Sequence, residues 1–155
     1  MSDAPARVRP ATDADLPAVL ALYGQPDMDD GAVLPISDAQ GLLARFAAYP
    51  DYTLYVAEQD QVIVGTFALL VMDNLGHLGA PSAIVEDVMV APDRHRNGIG
   101  RDMMRFAIDT AKAKGCYKMM LSSNVRRERA HAFYEQLGFT RHGYSFRIDL
   151  DGAGR

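Results

Sequence analysis

The chain has a single cysteine, Cys116, and no long hydrophobic run among its 155 residues. One cysteine cannot form an internal disulfide, which excludes a disulfide framework. A membrane-spanning helix needs about 20 apolar residues, so none is expected. Without a signal-peptide pattern, we expect a cytoplasmic protein. The four histidines lack the spacing of a zinc site, and no metal is expected.

The chain also has fewer basic than acidic residues. It contains 16 Lys and Arg and 20 Asp and Glu, which gives a formal net charge of −4. Nucleic-acid binders usually carry a basic surplus, so we expect no nucleic-acid partner. The length suits one domain with a real core, and no repeat or long linker marks a boundary. We therefore expect a single domain over residues 1–155, with frayed ends at 1–5 and 151–155.

Hydrophobic periodicity predicts short strands and helices along the whole chain. Apolar residues at helical spacing and capping residues predict helices over residues 16–23, 37–46, 98–114 and 127–137, the second opened by a capping box of Ser37 and Gln40. Runs of β-branched and aromatic residues predict strands over 7–9, 53–58, 62–72, 83–90 and 117–122, and one or two more within 139–150. Together they predict an α+β domain with helices covering a mixed, mostly antiparallel sheet.

The stretch from Glu86 to Gly100 combines an acidic strand end, a turn rich in Arg and Gly, and a helix start. Free backbone N–H groups at a helix start bind phosphate, and glycine lets the backbone come close to it. The stretch therefore predicts a phosphate-bearing cofactor with carboxylates beside it. A Walker-type loop is excluded because Gly100 precedes Arg101 instead of lysine. A dinucleotide fingerprint is excluded because Met103 replaces its third glycine.

One phosphate-binding pattern remains: a strand, then Arg or Gln followed by x-x-Gly-x-Gly, then a helix. On this loop, and on Ala130-x-x-Phe133-Tyr134-x-x-x-Gly138-Phe139 downstream, the chain resembles the GNAT superfamily of N-acetyltransferases over nearly its whole length. It departs from the pattern at the first loop position, where His95 replaces Arg or Gln. The resemblance implies a GNAT-like sheet of about six to seven strands with about four helices, whose central strands splay around acyl-CoA.

The resemblance implies acetyl-CoA as cosubstrate. Its pyrophosphate would lie on the loop and helix start, its pantetheine would bond to the strand before them, and a further contact would come from near Asn124. The implied cofactor-binding residues are Val88, Met89, Val90, His95, Arg96, Asn97, Gly98, Ile99, Gly100, Arg101, Asn124 and Tyr134.

Acetyl transfer requires that an amine loses a proton and that the leaving thiolate gains one. Neighbouring strand residues point to opposite faces, so only one of Glu86 and Asp87 can face the cleft unless a bulge intervenes. The resemblance favours Glu86 as the base, directly or through water, with Asp87 as the alternative, and implies Tyr134 as the acid. Each acid could instead make a structural ion pair, and Tyr134 could be a core residue. No cysteine lies in these segments to carry an acyl group, so we expect direct attack by the amine.

The acceptor is indicated only by class. Residues 121–134 look like the matching segment of aminoalkylphosphonate N-acetyltransferases, whereas Glu86-Asp87 and Gly115-Cys116-Tyr117-Lys118 look like glucosamine-6-phosphate N-acetyltransferases. Both resemblances imply a primary amine of a small, anionic metabolite. Arg126, Arg127 and Arg129 could hold an anion or form a solvated helix start. The alternatives are a non-catalytic acyl-CoA-binding module and a protein or peptide N-acetyltransferase. Superfamily members often dimerise, so a homodimer is expected.

Overall fold

The computed structural model describes residues 4–151, which form two compact units meeting between Leu121 and Ser122. The first contains β1 (Arg7–Pro10), α1 (Leu16–Tyr23), α2 (Ile36–Phe46), β2 (Tyr52–Gln59), β3 (Val62–Met72), β4 (Ser82–Val90), α3 (Ile99–Ala113) and β5 (Lys118–Met120); the second contains α4 (Glu128–Gln136). The single domain stays a prediction. Residues 1–3 and 152–155 of the expected frayed ends lie outside the described residues. None of the described helices is long and apolar enough to cross a membrane.

The sheet has the order β1-β2-β3-β4-β5, with antiparallel pairs up to β4 and a parallel β4–β5 pair. The mixed, mostly antiparallel sheet and the four helices are confirmed. The prediction of about six to seven strands is wrong, because the described residues form five. Residues 139–150 form no strand, although Tyr144, Phe146, Ile148 and Leu150 alternate as in one and are 81–95% exposed. Alternation gives a segment two faces, but a strand also requires a hydrogen-bonded partner.

The core lies on both faces of this sheet. Leu16 and Val19 of α1 and Ala39 of α2 pack against Leu54, Val56 and Ala68 on one face. The residues between them point the other way, so Tyr55 packs its ring against Phe67 and Phe106 on the α3 side.

The starts of the first two helices differ in their caps. A capping box forms at Thr12, before the short 3₁₀ turn Asp13–Asp15 that leads into α1, and the Thr12 N–H donates to Asp15 Oδ2 at 2.8 Å. The capping box of Ser37 and Gln40 is wrong, because α2 begins one residue earlier, at Ile36, with Pro35 before it.

Gly65 sets how closely α3 approaches the sheet. A Cβ there would lie 2.8 Å from Met103 Sδ and 3.2 Å from Ile99 Cγ2, and both side chains are fully buried. Valine favours strands, so a loss in Gly65→Val would report packing and not propensity. We expect Gly65→Val to lower the free energy of unfolding by about 1–3 kcal/mol, measured by urea denaturation.

Gly41 supplies the matched control, since it lies exposed in α2 and a Cβ there would meet nothing within 4 Å. Gly41→Ala should raise the free energy of unfolding by about 0.5–1 kcal/mol, because alanine loses less backbone freedom on folding. Equal stability of Gly65→Val and wild type would contradict tight packing of α3 on β3.

Candidate active site

β4 changes its register against β3 at the two adjacent carboxylates. Glu86 pairs with Ala68 and Met89 pairs with Thr66, so Asp87 and Val88 together face Phe67. Asp87 has a φ of 54°, in the left-handed region that aspartate tolerates better than most residues. This is a β-bulge, the condition under which neighbouring side chains need not point to opposite faces. Both residues are exposed by surface area, but the surrounding protein still partly desolvates each carboxyl group.

The charges of the two carboxylates both affect the pKa of one tyrosine, Tyr52. The pKa of Tyr52 is raised, first by burial and then by the charges of Asp87 and Glu86. Tyr52 pairs with Leu70 of β3, on the side where Ala68 packs against α1 and α2. The bulge therefore brings Glu86 and Asp87 towards one region on that side of the sheet.

β4 has a free edge beyond its short pairing with β5. The parallel ladder runs only from Ser82 opposite Lys118 to Ile84 opposite Met120. From Val85 to Val90, β4 has no β5 partner among the described residues. Backbone groups on this edge are thus available to an extended ligand, as at any open sheet edge. The Met89 side chain is buried, and the alternation along the strand turns the Met89 backbone groups, like those of Ala91, towards β3.

The loop after β4 ends in a helix start suited to an anion. A short 3₁₀ turn at Pro92–Arg94 leads to Gly98, whose φ of 78° favours glycine, and α3 begins at Ile99. The N–H groups of Ile99, Gly100 and Arg101 lie in the first turn, where helices lack internal partners for them. The side chains of Arg96 and Arg101 are exposed beside them. This arrangement suits a phosphate group.

His95 has a definite role in the structure. Its Nε2 donates to the Val90 carbonyl at 3.0 Å, and Gln25 Nε2 donates to the same oxygen at 3.0 Å. Arg94 donates to the Gln59 side chain, which holds the loop to the end of β2. A carbonyl has two lone pairs, so the Val90 oxygen is already satisfied. A cofactor contact at Val90 must then use another atom or displace one donor.

Three residues near β4 were not predicted from the sequence as part of the site: Tyr23 and Asp29, which lie near Asp87, and Gln25, which bonds Val90. The Asp29 N–H donates to the Tyr23 carbonyl at 2.9 Å. Burial raises the pKa of Asp87, and the Asp29 charge adds to it. The run of acidic residues at positions 27, 29 and 30 is a feature of the sequence that could have indicated a charged site here. Tyr23, however, lies in an apolar helical stripe and looks like any core residue.

Glu86 has the properties of a proton acceptor. Its pKa is raised by burial and then by the charge of Asp87. Such a rise moves a carboxyl group towards the pKa that suits general-base catalysis near neutral pH. Within the part of the chain that the structure describes, no ion pair neutralises Glu86, Asp87 or Asp29. No metal-binding group of three or more His, Cys, Asp or Glu occurs in residues 4–151.

The second unit contains the other predicted site residues. Asn124 stabilises the turn before α4, because its Oδ1 accepts from the Arg126 N–H at 2.9 Å and its carbonyl bonds His131 Nε2 at 2.8 Å. Tyr134 is half-buried on α4, with its ring edge-on to Phe133 and Phe139. Burial raises the pKa of Tyr134, opposed by the nearby Arg127 charge. The phenol therefore keeps its proton at neutral pH.

Comparison with known proteins defines the class. Residues 22–139 match the sequence model of the acetyltransferase (GNAT) family, so the chain belongs to this family and the predicted resemblance is confirmed. Its members use acetyl-CoA as cosubstrate.

Particular relatives refine this assignment. The chain is 34% identical over 88 residues to a glucosamine 6-phosphate N-acetyltransferase of Trypanosoma brucei brucei, over 57% of this chain and 58% of that protein. The chain thus spans less than two thirds of that relative. It is 29% identical over 112 residues to an aminoalkylphosphonate N-acetyltransferase of Salmonella typhimurium, over 70% and 72% of the two chains. A putative acetyltransferase from Agrobacterium tumefaciens superposes with a TM-score of 0.86 at 34% identity, over 93% and 99%.

Proposed function

We propose that the protein is an N-acetyltransferase that transfers the acetyl group of acetyl-CoA to the primary amine of a small, anionic metabolite. The observation that carries the proposal is the bulge at Asp87, which brings two carboxylates together just before a glycine-initiated helix start. Both relatives described above are named for small amines that carry a phosphate or phosphonate group. Arg126 and Arg129, exposed at the start of α4, are candidates for holding such a group.

The residues that would hold acetyl-CoA fall into three sets. The edge of β4 around Val88 and Val90 would bond the pantetheine chain through backbone groups. The loop and helix start, residues 95–101, would surround the pyrophosphate with backbone N–H groups and arginine side chains. The family resemblance also implies Asn124 and Tyr134 as cofactor-binding residues.

The protein's part in the chemistry is to move two protons. Acetyl-CoA supplies a thioester that an amine can attack directly, so no acyl-enzyme is required. Glu86 takes the proton that the amine loses as the N–C bond forms, directly or through water. Tyr134 gives a proton to the sulfur as the C–S bond breaks. The raised pKa of Glu86 suits a base near neutral pH, and the raised pKa of Tyr134 keeps the phenol protonated until the thiolate leaves.

The charge of Asp87 should set the acid limb of the pH profile. Removing it in Asp87→Asn lowers the pKa of Glu86, because a like charge no longer opposes ionisation. Since the base must be ionised, kcat should then persist to lower pH than in wild type. The measurement is kcat against pH with saturating acetyl-CoA. Asp109→Asn, an exposed acid on α3, is the control and should leave the profile unchanged. A shift to higher pH in Asp87→Asn would contradict the coupling.

The experiment that tests the function is a panel of amines with acetyl-CoA, read by release of free thiol. Amino sugar phosphates and aminoalkylphosphonates should be turned over, and faster than the same amines without the anionic group. No release above background hydrolysis for any amine would overturn the enzyme proposal. Acetyl-CoA binding without turnover would then identify an acyl-CoA-binding module. Turnover only with peptide amines would overturn the metabolite acceptor.

A further inference from the structure

Four large apolar side chains alternate along the last part of the second unit and are open to solvent. Tyr144, Phe146, Ile148 and Leu150 are 81–95% exposed. Single apolar residues are ordinary on a protein surface, but a contiguous row of them marks a place where a partner binds. We call residues 144–151 the terminal segment.

The terminal segment has the two faces and the open backbone of an edge strand. Within residues 4–151, the backbone groups of its four apolar residues make no hydrogen bond to other backbone groups. Between the apolar residues, Arg147 Nε lies 2.6 Å from Asp149 Oδ1, so these two side chains share the opposite face. Ser145 Oγ lies 3.1 Å from Ser122 Oγ, which holds the segment to the start of the second unit. Such a segment can pair with another strand.

The segment is complementary to a second copy of itself in one antiparallel register. With Ile148 opposite Ile148 of the second copy, Arg147 lies opposite Asp149 and Asp149 opposite Arg147. Phe146 then lies opposite Leu150 in both directions, so apolar side chains meet on one face. Opposite charges and apolar pairs placed directly across two strands both stabilise a sheet.

The same charges disfavour the neighbouring registers. Moving the two-fold axis to position 147 or 149 places Arg147 or Asp149 against its own counterpart, and like charges directly opposite each other are destabilising. A parallel pairing in register does so at both positions. A slip by a single residue mixes the polar and apolar faces. The register centred on Ile148 is therefore favoured over its neighbours by both charge and hydrophobicity.

We propose that residues 145–151 bind the same residues of a second copy of this chain, antiparallel, about a two-fold axis at Ile148. The pairing gives the open backbone groups hydrogen-bonding partners and gives Phe146, Ile148 and Leu150 apolar neighbours across the axis. Such an interface is isologous, because the same surface serves both copies. The inference goes beyond the proposed function, since it assigns an interaction surface that takes no part in acetyl transfer.

The test is a charge exchange followed by sedimentation at several protein concentrations. Wild type should be a dimer. Arg147→Glu and Asp149→Arg should each raise the dimer dissociation constant by about tenfold, because two cross-strand pairs change from attraction to repulsion. An equal mixture of the two single variants should form a dimer, since each Glu or Asp then meets an arginine. The variant with both exchanges should dimerise with itself.

Two further variants complete the experiment. Ile148→Lys places two lysines against each other on the axis and should give a monomer, with thermal unfolding close to wild type because the side chain is exposed. Arg105→Glu, a charge reversal at an exposed residue of α3, is the control and should stay a dimer. A monomeric wild type would show that no second copy covers the segment and would overturn the proposal. A dimer that survives both Ile148→Lys and Arg147→Glu would place the interface elsewhere, and single variants that stay monomeric when mixed would overturn the register.

Discussion

Glu86→Gln is expected to lower kcat by about 10²–10⁴-fold, the usual contribution of a general base. The substitution keeps the shape and polarity of the side chain and removes only its ability to take a proton. Acetyl-CoA binding, measured by calorimetry, should stay close to wild type, because Glu86 precedes the β4 edge and helix start that would hold the cofactor.

Asp87→Asn is the matched comparison, since Asp87 is the other carboxylate of the bulge. Its main effect should be a higher KM for the amine, with a smaller loss in kcat than in Glu86→Gln. The opposite ranking would make Asp87 the base. Equal losses, with a single shared pKa in the wild-type profile, would mean that the two acids titrate as one coupled pair. Full activity in both variants would exclude base catalysis by this strand.

The sequence was sufficient for features that depend on local spacing. The β2–β3 hairpin turns at Asp60 and Gln61, both with positive φ, between two strands that β-branched residues predict. The start of α3 follows Gly98, as the loop pattern predicts. These features are encoded by residues within a few positions of one another, and propensity and pattern act over that range.

Features that depend on register or distant contacts were not predictable in the same way. The alternation from Ile84 to Val90 predicts side chains on two faces of the strand. A bulge breaks this alternation, because it places two residues of one strand opposite one residue of its partner. Aspartate tolerates positive φ better than most residues, but it is also common in other conformations. The residue type at position 87 therefore does not predict a positive φ. The bonds from Gln25 and His95 to Val90 also could not be foreseen, because the Gln25 contact spans 65 positions. The position of the loop along the chain could be predicted from the sequence. The hydrogen bonds that attach the loop to the rest of the sheet could not.

Tyr134→Phe is expected to lower kcat by about 10²–10⁴-fold, as the loss of a general acid does, with little change in stability. The ring packs edge-on against Phe133 and Phe139, and phenylalanine keeps those contacts. Because burial raises the pKa of Tyr134, the wild-type alkaline limb due to this group should lie above the ordinary tyrosine range, and the variant should lose it. The measurement is thiol release against pH.

The control for Tyr134 is Tyr144→Phe, a change of the same kind at a 93% exposed tyrosine of the second unit. Tyr144→Phe should match wild type in kcat and in the alkaline limb. If Tyr134→Phe keeps full kcat, the half-buried tyrosine is only a packing residue and the thiolate takes its proton from water. If Tyr134→Phe loses stability as well as kcat, the Tyr134 hydroxyl makes a hydrogen bond that stabilises the fold. The alkaline limb of the pH profile then distinguishes this structural role from a catalytic one. A limb that survives in the variant belongs to another group, because phenylalanine has no proton to lose.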